Sequence, residues 1–159
     1  MIKSKLLIII LLLISNNSYS QKLEIVSALR NDDIIKVRLK LTNDKQERVA
    51  FYKPDFESIC DGVIGFDLET DDGIKDYFPC TYINHLDSIA LSCANVIFLD
   101  YEEAFEFNLE LELFEYLKSS KRIRCYIDYD YDIYFNDIEE KTNIFKGLLS
   151  SDFVPIQLN

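Results

Sequence analysis

The sequence predicts an all-β protein, a two-sheet antiparallel sandwich of about seven to nine strands. Residues 105–113, FEFNLELEL, alternate apolar and polar side chains at every position. Successive side chains of a strand point to opposite faces, so this segment has one apolar and one acidic face. Residues 34–41 and 122–135 alternate in the same way, and short turn signals separate these segments. Beyond residue 20, no stretch has the apolar period of a long helix.

The central strand of this fold is residues 105–113. In a helix its five apolar side chains would scatter around the axis, so the strand is favoured over the helix propensity of Glu and Leu. Full burial of five such side chains would contribute about 7–15 kcal/mol. Ordering nine backbone residues costs about 1–2 kcal/mol each. The strand therefore requires a second layer, which the rest of the chain must supply.

The first third of the chain predicts three strands. Residues 23–29 form the first, and the turn at 31–33 leads into the amphipathic strand 34–41, whose polar face is basic. After a turn at 42–45, residues 48–52 form a short third strand that Pro54 stops.

The middle of the chain predicts a hairpin. Residues 64–69 and 74–78 flank Asp71-Asp72-Gly73, a hairpin turn signal. Residues 81–95 have no clear period and are interpreted as a loop with one helical turn. A short extended segment follows at 96–99.

Two neighbours compete for the central strand, and charge separates them. A direct hairpin with residues 122–131 would place Glu110 opposite Asp128, and like charges directly opposite destabilise a sheet. The basic strand 34–41 complements the acidic face instead. We therefore expect 34–41 beside the central strand and 122–134 in the other sheet.

The last third predicts the remaining strands. Residues 122–135 alternate throughout, and the polar segment 136–143 is interpreted as an exposed loop. Gly147 predicts a bend or bulge within 144–149. Residues 153–158 form the last strand, and Pro155 within it favours an edge position.

The first 20 residues have the three-part layout of a secretory signal peptide. Lys3 and Lys5 precede the apolar run 6–14, and a polar segment ending in Ser20 follows. Nine apolar residues are too few to span a bilayer, so we expect cleavage before Gln21 rather than an anchor. The prediction is an exported protein, periplasmic or extracellular, with residues 21–159 as one domain and no membrane insertion after cleavage.

Charge narrows the choice of partner. After residue 20 the chain has 15 basic and 28 acidic residues, a net charge of −13. Phosphate binding needs a cationic surface, so nucleic acid and anionic lipid are not expected partners. The negative charge is compatible with a protein or peptide partner, in particular a basic one, and with binding of a cation. Solvated polar faces of the strands would also explain the negative charge without any partner.

Four cysteines follow the signal segment: Cys60, Cys80, Cys93 and Cys125. An exported chain meets an oxidising compartment, so two disulfides are expected, with three connectivities open. Cys60 and Cys80 lie nearly symmetrically about the hairpin turn, which favours their pairing and leaves Cys93 with Cys125. Their spacings lack the C-x-x-C of a zinc site.

The order of elements resembles immunoglobulin-like sandwiches of exported bacterial proteins. The resemblance rests on the strands 105–113 and 122–134 and on the ending FKGLLSS (145–151) before a final strand. The Trp and the inter-sheet disulfide of antibody domains are missing. The resemblance implies a binding or accessory module and transfers no catalytic residue.

The residues argue against an enzyme. His85 is the only histidine, and no nucleophile motif such as Gly-x-Ser-x-Gly accompanies it. One histidine also argues against a zinc centre. We therefore predict no catalytic residues and no cofactor, with a hydrolase as the third alternative.

The predicted binding residues share the polar face of the Tyr-rich strand: Tyr126, Asp128, Asp130, Asp132 and Tyr134. Tyrosine is enriched in protein interfaces because it brings contact area at low entropic cost. The prediction is a non-enzymatic module that recognises a protein or peptide through this acidic, Tyr-bearing face. The alternative is a calcium-stabilised module in which Asp128, Asp130 and Asp132 hold the ion, although a strand cannot wrap an ion as a calcium loop does.

Overall fold

A computed structural model of the chain describes residues 21–80, 88–91, 96–129, 132–135 and 143–159. The strands are β1 (Gln21–Asn31), β2 (Ile34–Asn43), β3 (Val49–Tyr52), β4 (Ile64–Thr70), β5 (Gly73–Tyr77), β6 (Ser88–Leu91), β7 (Val96–Leu99), β8 (Ala104–Glu112), β9 (Arg122–Asp128), β10 (Asp132–Phe135), β11 (Leu148–Ser150), β12 (Val154–Pro155) and β13 (Gln157–Leu158). A one-turn helix α1 (Glu57–Cys60) and a 3₁₀ turn (Glu115–Leu117) complete the described elements.

Two main sheets make up the fold, which confirms the all-β sandwich. The first sheet has the strand order β13-β1-β2-β8, and the second has the order β11-β9-β4-β5 with β12 also paired to β9. Two smaller pairs, β3–β7 and β6–β10, accompany them. Among the described residues there are thirteen strands rather than seven to nine, because several are short pieces of two to four residues.

The first sheet joins the basic and acidic strands as charge complementarity predicts. β2 and β8 pair antiparallel, with Lys36 opposite Glu110 and Lys40 opposite Glu106. The Lys36 ammonium lies 2.8 Å from the Glu110 carboxylate. Both side chains are exposed, so this pair adds at most about 1 kcal/mol, and its larger role is to select the neighbour of β8.

The predicted hairpin forms the far side of the second sheet. β4 and β5 pair antiparallel around Asp71-Asp72, with Thr70 opposite Gly73. Gly73 has φ +108°, a left-handed conformation that favours glycine. The Thr70 hydroxyl donates to the Gly73 carbonyl at 2.8 Å and holds the turn closed. This geometry fixes the register of β5, and therefore the side chains that face each other across the hairpin.

The core lies between the two sheets and extends beneath β3. Fully buried side chains from both sheets meet there, including Ile35, Leu39, Leu111, Phe66, Leu68 and Ile123. Under β3, the Phe51 ring lies 5.5 Å from the Phe145 ring and 6.2 Å from the Tyr129 ring, measured between centroids. The Tyr129 hydroxyl is buried and donates to the Tyr52 carbonyl at 3.1 Å. This hydrogen bond and these ring contacts attach the β3–β7 pair to the second sheet.

The prediction of one continuous strand over 122–135 is wrong. β9 ends at Asp128, and β10 pairs in parallel with β6 instead of continuing in the second sheet. At the break Tyr129 donates its N–H to the Gly147 carbonyl, and its side chain points into the core. Residues 88–91 are correspondingly a strand, not part of a loop. Alternation continues on both sides of the break, so the pattern could not reveal that the chain changes partners.

The C-terminal segment also splits. β12 pairs with β9 in the second sheet, whereas β13 pairs in parallel with the end of β1 in the first. Between them, Ile156 donates its N–H to the Lys121 carbonyl. Pro155 therefore lies at a sheet edge, as predicted. Gly147, at φ +125°, makes the predicted bend just before β11.

Cys60 and Cys80 form a disulfide, with their Cα atoms 5.6 Å apart, so the predicted pairing is confirmed. The second predicted bridge, between Cys93 and Cys125, is wrong. Cys125 is a free thiol on the inward face of β9, fully buried with Ile123 and Ile127, and burial raises its pKa well above the usual range. Cys93 lies outside the described residues.

Residues 1–20 also lie outside the described residues, so the signal peptide stays a prediction. In the part of the chain that the structure describes, neither the helix nor the 3₁₀ turn has the length and apolar character needed to cross a bilayer.

Candidate binding face

The predicted binding residues of β9 lie on the outer surface of the second sheet. We define the hairpin face as the outward residues Gly65 and Asp67 of β4, Asp76 of β5, and Arg124 and Tyr126 of β9. The registers of β4 with β5 and β9 place these residues in two adjacent rows. Alternation along β9 sends Ile123, Cys125 and Ile127 into the core and leaves Arg124 and Tyr126 outside.

Tyr126 lies across a glycine. It is directly opposite Gly65 in the register of β9 with β4. A Cβ atom at position 65 would overlap the Tyr126 ring, coming within 2.6 Å of Cε2. Burial against the sheet raises the pKa of Tyr126, with the Asp67 and Asp76 charges as smaller causes. The ring is thus a half-buried platform on the sheet surface.

Two carboxylates stand opposite each other in the next row. Asp67 pairs with Asp76 on one side and with Arg124 on the other. The Arg124 Nε donates to Asp67 Oδ2 at 2.9 Å, and its Nη2 donates to the same oxygen. Asp67 is buried, whereas Asp76 is exposed. A hydrogen bond to Asp67 raises the pKa of Asp76, and partial burial adds to the shift.

This pair predicts a pH dependence of stability. Because the pKa of Asp76 is raised in the folded protein, its protonated form stabilises the fold. This contribution to the free energy of unfolding is fully present below the ordinary aspartate pKa and is lost as pH rises through the raised pKa. At pH 7 two like charges then face each other, which typically costs about 0.2–1 kcal/mol. Asp76→Asn should therefore raise the free energy of unfolding at pH 7 by about that amount, measured by urea denaturation.

The control for this prediction is Asp72→Asn, which removes the same charge at the exposed hairpin tip. It should leave the unfolding free energy nearly unchanged at pH 7. If both variants gain equal stability, the gain comes from net charge and the cross-strand pair has no specific effect.

Basic side chains neutralise the end of the face nearest the hairpin turn. Arg122 pairs with Glu69 at 3.1 Å, and Lys121 pairs with Asp71. The Phe153 ring covers both arginines, with its centroid 5.5 Å from the Arg122 guanidinium carbon and 4.9 Å from that of Arg124. The carboxylates of this end therefore have cationic partners, and the acidic character of the face concentrates near Asp76.

A pocket of about 200 Å³ opens beside the Tyr126 platform. Its lining is mainly apolar, with Asp76 as the carboxylate: Ile59, Gly62, Ile64, Gly65, Asp76, Tyr77, Phe78 and Tyr126. Burial raises the pKa of Tyr77 to about 12, so its phenol is neutral at physiological pH.

A hydrogen-bonded helix cap and a disulfide stabilise the wall of this pocket. The Asp55 carboxylate accepts a hydrogen bond from the Ser58 N–H at 3.0 Å, and the Ser58 hydroxyl accepts one from the Asp55 N–H at 3.0 Å. This reciprocal cap starts α1 and positions Ile59. The Cys60–Cys80 disulfide then fixes the end of α1 to the segment that follows β5. The pocket wall is consequently attached to the sheet on both sides.

The structure describes the side chains of two of the five predicted binding residues, Tyr126 and Asp128. Tyr126 belongs to the hairpin face, and Asp128 is half-buried at the end of β9, opposite Leu148 of β11. Asp130 lies outside the described residues, as do the side chains of Asp132 and Tyr134, whose backbones form part of β10. Their joint face with Tyr126 stays a prediction.

The structure does not test the predicted calcium site or a catalytic role for His85. Among the side chains that the structure describes, no three His, Cys, Asp or Glu residues are grouped to hold a metal ion. The proposed calcium ligands Asp130 and Asp132 and the lone His85 fall outside that set, so calcium binding stays a prediction.

Sequence reasoning missed Gly65, Asp67 and Asp76. A signal for the carboxylate pair was present, because a two-residue turn at 71–72 places residue 67 opposite residue 76. An isolated glycine within a strand also indicates close approach of another group. No local signal could have identified Tyr126 and Arg124 as the cross-strand partners, since β4 and β9 are far apart in sequence.

No protein-family model, no curated protein and no solved structure matches this chain.

Proposed function

We propose that this protein is a non-enzymatic, exported binding or accessory module that recognises a protein or peptide through the hairpin face, which includes Tyr126. The observation that supports the proposal is the Tyr126 platform over Gly65, which borders a largely apolar pocket with a carboxylate at its rim. Half-buried tyrosines beside small pockets are typical anchor points of protein interfaces.

Rigidity supports the same proposal. The face consists of sheet residues, and its pocket wall is fixed by the α1 cap and the disulfide. A surface whose side chains are already ordered loses little conformational entropy when a partner binds. The resemblance of the sequence to immunoglobulin-like sandwiches, which implies a binding or accessory module, is consistent with this proposal.

Tyr126→Ala tests the face. Recovery of partners from the extracytoplasmic fraction of the source cells, quantified against immobilised wild type, should fall at least tenfold, equivalent to about 1.4 kcal/mol, because truncation removes the anchor.

The control is Tyr101→Ala, which truncates an exposed tyrosine in the turn between β7 and β8, away from the face. It should recover partners at the wild-type level, and both variants should keep the wild-type thermal midpoint to within a few degrees. Equal recovery by all three proteins would refute recognition through this face.

A further inference from the structure

The pocket beside Tyr126 has the size of a single side chain. Its volume of about 200 Å³ is below the range of about 300–1,000 Å³ typical of small-molecule and cofactor sites. Phe78, Ile59 and the Tyr126 ring supply apolar and aromatic walls, and Gly65, which lies beneath the Tyr126 ring, adds no side chain to the lining. Such walls suit a long aliphatic stem more than a polar ligand.

Among the residues that the structure describes, the cations around the pocket leave one carboxylate, Asp76, without an ion-pair partner. Arg124 donates from Nε and from Nη2 to Asp67, and the Phe153 ring covers its guanidinium. Asp67 is therefore neutralised, while the exposed Asp76 faces Asp67 and has a like charge as its cross-strand neighbour. When ionised, the three groups together have a net charge of −1, located at the rim of the pocket.

We propose that this pocket binds one lysine or arginine side chain of the partner. The aliphatic stem packs on Tyr126 and Phe78, and the cationic head pairs with Asp76. Long basic side chains combine an apolar stem with a charged tip, which is the combination that this pocket complements. The face of Tyr126 adds a cation–π contribution. This inference rests on the proposed function and specifies its partner as one that presents an exposed basic residue.

The Asp67 carboxylate favours the same occupant. A cation at Asp76 relieves the like-charge repulsion between the two aspartates, so binding removes an unfavourable interaction of the free protein. An acidic side chain would add a third carboxylate and be excluded. A neutral side chain of the same length would gain the wall contacts and lose the ion pair. The pocket should therefore discriminate by charge among side chains of equal size.

The test is an NMR titration at pH 7 of the isotopically labelled protein with small probes. The cationic probes are N-acetyl-arginine methylamide and N-acetyl-lysine methylamide, and the neutral isosteres are the citrulline and norleucine equivalents. We expect the cationic probes to shift the amide signals of Gly65, Asp76 and Tyr126, with at least fivefold weaker binding of the isosteres. Asp76→Asn should weaken the arginine probe at least fivefold, whereas Asp72→Asn should leave its binding unchanged.

Several outcomes would overturn the inference. Equal binding of cationic and neutral probes would show an apolar pocket without charge selection. Equal losses in Asp76→Asn and Asp72→Asn would show attraction by net charge alone. Absence of shifts at these three residues with every probe would remove the pocket as a site.

The pull-down separates this inference from the proposed function. If Tyr126→Ala loses the partner while Asp76→Asn keeps it at full recovery, the face is the recognition surface and the basic-side-chain pocket is refuted. If the probes bind but no partner depends on Tyr126, the proposed function fails and the pocket has no role in recognition.

Discussion

Phe51→Ala is expected to lower the free energy of unfolding by about 3–5 kcal/mol, the range for removing a buried aromatic ring. Phe51 is fully buried, and its ring packs against Phe145 and Tyr129 at centroid distances of 5.5 and 6.2 Å. These contacts join the β3–β7 pair to the second sheet, so a cavity there weakens an attachment as well as the core. Urea unfolding followed by far-UV circular dichroism gives the measurement.

The matched control is Phe56→Ala. Phe56 lies five residues further along the chain, and 45% of its surface is exposed. Its truncation should change the unfolding free energy by no more than about 0.5 kcal/mol. A loss below about 1 kcal/mol in Phe51→Ala would contradict the core position assigned to β3.

Replacing both bridged cysteines, Cys60→Ser with Cys80→Ser, should lower the free energy of unfolding by about 3 kcal/mol. The bridge spans 20 residues, and in the chain-entropy treatment a loop of about this length contributes that amount by restricting the unfolded chain. The α1 cap and the hairpin remain, so we expect a folded but less stable protein. Thermal and urea unfolding measure the loss.

Reduction provides the control for this effect. Dithiothreitol should lower the midpoint of the wild type and have a much smaller effect on the double serine variant, which lacks the bridge. Mass spectrometry of the oxidised, digested protein should find the peptides of Cys60 and Cys80 linked, with Cys125 alkylated only after unfolding, because its thiol is buried. A Cys125 disulfide in that digest would contradict the structure.

The strands of the first sheet were predictable because two independent signals agree. Alternation defines β2 and β8 as amphipathic strands, and the opposite charges of their polar faces favour their pairing. The hairpin of β4 and β5 was predictable for a local reason, since Asp71-Asp72-Gly73 selects both the turn and the register. Where a turn or a charge pattern specifies the partner, the sequence is sufficient.

The remaining features depend on contacts between distant segments. At the break after Asp128, the Tyr129 hydroxyl donates to the Tyr52 carbonyl, 77 residues away. Cys125 is inward by alternation, but whether a second thiol can reach it depends on how the sheets pack. For the candidate face, Tyr126 was predictable as an outward aromatic residue, whereas the glycine beneath it and the carboxylate pair beside it come from the β4–β9 and β4–β5 registers.

Lys75 has a consequence for how this protein behaves at high concentration. It lies on β5, which in the described part of the chain pairs only with β4, and it is opposite the fully buried Leu68, so its side chain projects toward the interior side of the sheet. A strand from another copy that extended the sheet at β5 would have to desolvate this ammonium, which disfavours open-ended growth. The glutamates of β8 also disfavour extension of the first sheet, because two β8 strands from different copies would repel each other if they paired. Crowded solutions of this chain should therefore resist fibril formation at both of these edges.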